Sequence, residues 1–273
     1  MSSGDYAASR THALPLVFRG REGRLNARII RFLALNGPSL IYSVSKFLSD
    51  TSKTRIHYPT INRRMHDLLN QNYLQKAGAK STKTGVMADL YATTIRGDFA
   101  AFVDLAEGDD RLVDLSPSQA RQIIDAASKR HGSPFLLLEH ISKDSSAGSS
   151  LVGTLLVPEI AKSVKNGYLN LEATDDSIMC SSFASVVARA VMGMMIKSGI
   201  EANPQIGSKE GGQYAKILLR CVDRMLAEDR VPANENGKDG SFSEHLTPVP
   251  MRWAKELKVF LRLSAVSLDR GMD

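Results

Sequence analysis

The sequence predicts a mainly α-helical protein in two parts: three helices with a β-hairpin, then an all-helical remainder. Three observations predict it. From Arg24 onward, apolar residues recur at three- and four-residue spacing, the period of helices docked by one face. That period breaks once, between Tyr73 and Thr93, where two short β-type runs flank a polar, Gly-containing tip. Charge is also divided unevenly: residues 1–104 hold 15 Lys and Arg against 7 Asp and Glu, whereas residues 105–273 hold 20 against 22.

The elements follow in order. Residues 1–20 show no steady period and read as a flexible arm. Leu25, Ile29, Phe32, Leu33 and Leu35 mark a first helix, and Asn36-Gly37-Pro38 ends it. Ile41 to Ser49 is a short second helix with Val44, Phe47 and Leu48 inward. Tyr58-Pro59 opens a third, because Pro at the first helical position lacks an N–H that would be unpaired there anyway. It runs to about Asn70, with Ile61, Met65, Leu68 and Leu69 as its apolar stripe. Strands are expected at Tyr73–Ala77 and Asp89–Thr93, with a long tip over residues 78–88. Thr94 can cap a helix whose apolar face is Phe99, Phe102, Val103 and Leu105.

Residues 106–114 read as a linker between one domain at 21–105 and a second at 115–273. Ser116-Pro117-Ser118-Gln119 has capping-box form and opens a helix. Another follows at Pro134–Ile141, then a Ser/Gly-rich loop at Lys143–Ser150. Further helices are expected near 151–166, 175–199, 208–229 and 250–268, and a long polar loop over 232–247.

Composition excludes several classes. An apolar share of 43% supplies a core, so the chain folds. The apolar stretch Ile178–Ile196 contains Ser181, Ser182, Ser185 and Arg189, which are costly in lipid, so it reads as a buried helix. The stretch holding Arg10, Arg19 and Arg21 has no long apolar run and does not read as a leader. Cys180 and Cys221 lack zinc spacing and read as buried thiols, which fits a cytoplasmic protein. The six histidines form no HExxH, and Glu139-His140 reads as a surface or capping pair. Gly207 to Gly212 lacks the P-loop pattern and reads as a helix start. Met192, Met194 and Met195 suit a core or a helix–helix interface. Nothing here predicts an enzyme, a metal or a cofactor.

Residues 24–97 resemble the winged helix-turn-helix domains of transcription regulators of the MarR, PadR and ArsR type. Thr60-Ile61-Asn62-Arg63-Arg64-Met65-His66-Asp67-Leu68-Leu69 looks like their recognition helix. Asn70-Gln71-Asn72-Tyr73-Leu74 follows it, with Asn72 where the family often has Gly. Leu90-Tyr91-Ala92-Thr93-Thr94-Ile95-Arg96-Gly97 looks like the second wing strand running into a Thr-x-x-Gly helix start. The resemblance implies a recognition helix in the major groove of double-stranded DNA and a basic wing beside it.

The residue chemistry leads to the same expectation by its own route. A helix docked through Ile61, Met65 and Leu68 leaves Thr60, Asn62, Arg63, Arg64 and His66 for other contacts. Arg pairs with guanine and Asn with adenine through two hydrogen bonds each. The expected DNA-binding set is Tyr58, Thr60, Asn62, Arg63, Arg64, His66, Lys80 and Lys83. The expected protein is a sequence-specific transcription regulator, a homodimer through its helical second half, with an effector not named by any motif. The alternative is an adaptor or assembly protein that uses the same winged helix to grip a protein, since fold alone does not fix function.

Overall fold

The computed structural model describes residues 15–52, 56–82, 85–103, 115–173, 175–201, 204–228 and 252–270. The expected linker at 106–114, the polar loop at 232–247 and most of the N-terminal arm lie outside them. The fold is mainly helical with one small antiparallel sheet. Its first part runs α1 (Gly23–Asn36), β1 (Ser39–Leu40), α2 (Ile41–Thr51), α3 (Tyr58–Asn70), β2 (Leu74–Ser81), β3 (Met87–Thr93) and α4 (Ile95–Ala100). Its second part runs α5 (Pro117–His131), α6 (Phe135–Asp144), α7 (Ser146–Leu151), α8 (Val157–Lys165), α9 (Asp176–Glu201), α10 (Pro204–Glu228) and α11 (Arg252–Arg270).

The three helices of the first part form where the apolar period places them. Ile29, Ile30 and Leu33 of α1, Val44 and Leu48 of α2, and Ile61, Met65 and Leu68 of α3 meet with no solvent exposure. Each such side chain contributes about 2 kcal/mol by leaving water. α1 stops where Gly37 takes φ +73° and its N–H reaches the Leu33 carbonyl. The sheet has the order β1-β3-β2. β3 is central: Ser39 of β1 faces Tyr91, and Lys76 of β2 faces Tyr91 from the other side. One extra residue on β2 shifts the register between Lys76 and Ala79, the signature of a β-bulge.

Tight local bonding leads α3 into the hairpin and the hairpin into α4. Asn72 adopts φ +60°, the left-handed conformation that Asn tolerates better than most residues. Thr94 donates its hydroxyl to the Asn72 carbonyl at 2.7 Å and accepts from the Gly97 N–H at 3.3 Å. Gly97 packs directly on the Tyr73 carbonyl, and a Cβ there would collide with it. The Thr-x-x-Gly sequence is therefore a cap and a close approach in one unit.

Three differences from expectation stand out. Residues 15–20 are no loose arm: Val17 and Phe18 are buried, Asn26 donates to the Val17 carbonyl at 2.7 Å, and the Leu16 N–H reaches Glu172 at 2.8 Å. This apolar run is too short to show a period. The strands extend further than composition indicates, to Ser81 and from Met87, so the tip is short. Its Thr82 and Val86 are joined by a backbone hydrogen bond of 2.9 Å. The Ser/Gly-rich stretch after Lys143 is not a loop but contains α7, because the Ser145 hydroxyl caps it by accepting from Gly148 N–H at 3.1 Å. Gly207 to Gly212 falls in the first turns of α10, which begins at Pro204, as expected of a helix start.

Between α7 and α8 the helix widens to a π-turn over Val152–Leu156, closed by a Val157 N–H bond to the Val152 carbonyl. Pro158 follows directly. Its ring and missing N–H conflict with ordinary α-helical bonding one turn back, and a wider turn relieves that conflict.

The two parts share one core. Phe99 of α4 stacks on Phe135 of α6 at 4.6 Å and on Phe183 of α9 at 5.4 Å. Phe183 then meets the edge of Trp253 on α11. Asp98 on α4 has no exposure and holds Arg130 and His131 of α5. Arg31 of α1 donates to the Ala101 and Val103 carbonyls, and Gln122 of α5 donates to the Leu35 carbonyl. The two parts are thus joined through α4 and α1.

Candidate nucleic-acid interface

α3 is pinned to the body by Ile61, Met65 and Leu68, spaced four and three apart, so its opposite face must meet solvent. On that face Arg63 and His66 are exposed and Thr60 and Asn62, to either side, are half-buried; Tyr58, in line with the docked stripe, is exposed at the first turn of the helix. The His66 ring meets the edge of Tyr91 on β3 at 6.1 Å, which continues the surface from helix to sheet. The Tyr91 hydroxyl is held above its ordinary pKa, first by burial and then by the nearby Asp89 carboxylate. Lys80 is exposed on β2, opposite Ala88. Lys76, also exposed on β2, pairs with Asp89 at 2.7 Å, and that pairing raises its pKa. Lys83 lies outside the described residues.

Arg63 and Arg64 are neighbours in sequence and opposites in structure. The Arg63 side chain is 65% exposed, and Arg64 is 12% exposed. Arg64 turns toward α1. There it donates to Asn26 Oδ1 at 3.2 Å and pairs with Glu22, and it also pairs with Asp67 at 3.1 Å. Arg63 Nη2 reaches the other oxygen of Glu22 at 2.7 Å. A single carboxylate thus bridges both arginines. Arg64 was expected on the outer set, but its geometry makes it an internal tie between α1 and α3.

Of the expected residues on α3, Tyr58, Arg63 and His66 are exposed and Thr60 and Asn62 are half-buried. Lys80 is on the adjoining hairpin, although on a strand rather than at the tip. Three participants escaped sequence reading: Glu22, Lys76 and Tyr91. Glu22 stands about forty residues from the arginines, and no local pattern links them. Tyr91 was placed on a strand, but its contact with His66 depends on how the sheet packs on α3.

Other clusters are structural in character. Asp98 accepts from Thr93 Oγ1 at 2.6 Å and from Arg130 Nη2 at 2.8 Å, with His131 Nε2 at 2.9 Å, and it is fully buried. No substrate could reach it. Glu139 is half-buried; burial opposes its charge, but bonds from Lys143 and Ser128 outweigh burial and hold its carboxyl below the usual range. Among the described residues, no group of three or more His, Cys, Asp or Glu side chains could hold a metal ion. Among them, too, no helix is long and apolar enough to cross a membrane. A shallow groove lined by Leu35, Arg121, Gln122, Asp125 and Lys129 is open to solvent. Comparison with protein-family models, with curated proteins and with solved structures finds no match.

Proposed function

We propose that this protein is a sequence-specific double-stranded DNA-binding regulator of transcription, with residues 21–105 acting as a winged helix-turn-helix. One observation carries the reading. α3 is docked by three fully buried apolar residues and turns Tyr58, Asn62, Arg63 and His66 outward, beside a hairpin bearing Lys76 and Lys80. A helix of this width fits the major groove, about 12 Å across, and Asn and Arg are the side chains that read adenine and guanine there. The hairpin lysines would neutralise backbone phosphates next to the helix. The excess of base in residues 1–104 supports the same partner. Pairing of two copies through the helical second part would match a two-fold operator.

The test is duplex binding by the full chain across a salt series. Log affinity should fall linearly with log salt, and Arg63→Ala should weaken binding to a selected duplex about tenfold or more. No retention on duplex DNA at low salt would sink the reading. A second reading, an adaptor that grips a protein, is favoured by Val86 and Met87, both exposed apolar residues at the end of the hairpin. Under it, Val86 and Met87 substitutions would matter and salt would not.

A further inference from the structure

Arg63 has one partner and several donors left. Its Nη2 gives one hydrogen to Glu22 Oε1, at 2.7 Å. A guanidinium has five N–H donors in a rigid plane, so a two-donor edge remains for another acceptor. The anchor behind this contact is well built. Glu22 sits at the N-terminus of α1, where the helix dipole favours a carboxylate. Its second oxygen pairs with Arg64, itself fixed by Asn26 and Asp67, and Asn26 is fixed by the Val17 carbonyl. A chain of bonds thus runs from buried backbone to the one exposed arginine of α3.

We propose that Glu22 is a positioning residue for base readout: it fixes the Arg63 guanidinium so that its open edge meets a guanine in the major groove. Arg64 and Asn26 hold Glu22 and touch no base. The inference rests on the DNA-binding reading above. An unrestrained arginine has many rotamers and contacts phosphates and bases indiscriminately. Fixing its plane before binding removes that entropy cost and turns a general cation into a selective one. The identity of the partner base follows from chemistry, since guanine alone presents two acceptors, N7 and O6, to a two-donor edge.

The substitution to make is Glu22→Gln. Gln keeps the size but has one carbonyl oxygen and an NH2 that only donates, and no charge, so it cannot offer each arginine its own oxygen as Glu22 does. The full-length protein is first used to select duplexes from a randomised pool. Each base pair of the selected duplex is then replaced in turn. Arg63→Ala should abolish preference at one guanine position. Glu22→Gln should lower preference at that same position about tenfold, while affinity for unselected duplex rises slightly because an acid has left a phosphate-facing surface. In the Arg63→Ala background, Glu22→Gln should have no further effect on preference. A Glu22→Gln protein that folds, by its melting transition, yet keeps full preference at that guanine overturns the proposal. So does preference unaffected by Arg63→Ala. If the wild-type chain enriches no duplex, the DNA-binding reading fails and the proposal falls with it.

Discussion

Asp98 shows how a single residue ties this molecule together. Its carboxyl group has no solvent exposure, and its partners come from both parts of the chain: Thr93 at the end of β3, Arg130 and His131 at the end of α5. Replacement by Asn keeps the shape and removes the charge that Arg130 faces. Breaking a buried pair in this way costs about 3–5 kcal/mol, because the remaining charge is left without compensation. Urea denaturation of Asp98→Asn should show a loss of that size. The two arginines of α3 make a matched contrast. Arg64→Ala leaves Glu22 and Asp67 together without their shared cation and should cost about 1–3 kcal/mol. Arg63→Ala removes an exposed pair and should change stability by about 0.5 kcal/mol or less. Equal losses in thermal melts of the two variants would contradict the division of roles between them.

At the scale of elements, α3 and the β2–β3 hairpin act as one surface, joined by the edge contact of His66 with Tyr91. Among the described residues of this hairpin, Lys80 is an exposed cation whose strand partner is Ala88 rather than an acid. On the DNA-binding reading, Lys80→Ala should weaken binding to all duplexes alike and make the slope of log affinity against log salt shallower by about 1. Lys76 should contribute less, since Asp89 already faces it. The hairpin is held at its base by the Asn72–Thr94–Gly97 junction, where the Thr94 hydroxyl bonds the Asn72 carbonyl and Gly97 abuts the Tyr73 carbonyl.

The described residues pack around one core because α4 is covered by α5, α6 and α9. Calorimetry of the full chain should therefore show a single transition including the sheet and α3, not an early melt of residues 21–105. Alkaline pH should weaken the fold as a whole. Burial pushes the Cys180 thiol up to about 12 and the Cys221 thiol up to about 11, from an ordinary value of 9.0. The unfolded chain releases these protons first. Stability is therefore full below about pH 9 and falls as pH rises toward the folded-state values, by up to about 1.4 kcal/mol per pH unit for each thiol. Denaturation midpoints at pH 7, 9 and 10 would check it, and thiol-reactive dye should label neither cysteine in the native state at pH 8.

Local sequence alone determined where most of the helices are, α7 excepted, which of their faces are buried, and that a hairpin interrupts them. These follow from periodicity, from Gly37 and Pro59, and from the Asn72 and Thr94 junction, all readable within one or two turns of chain. It also narrowed the outward residues of α3 to a handful, because three apolar positions fix the opposite face. Only the tertiary structure decided which of those residues face solvent. Arg64, three residues after Ile61 and four before Leu68, flanks the docked face, but only the packing of α1 there supplies the Glu22 and Asn26 that hold it. The two-residue strand β1, the burial of Val17 and Phe18, and the joining of the two parts through Asp98 and Phe99 were decided in the same way. Each depends on a partner distant in sequence, and no local spacing encodes a contact whose other half lies tens of residues away.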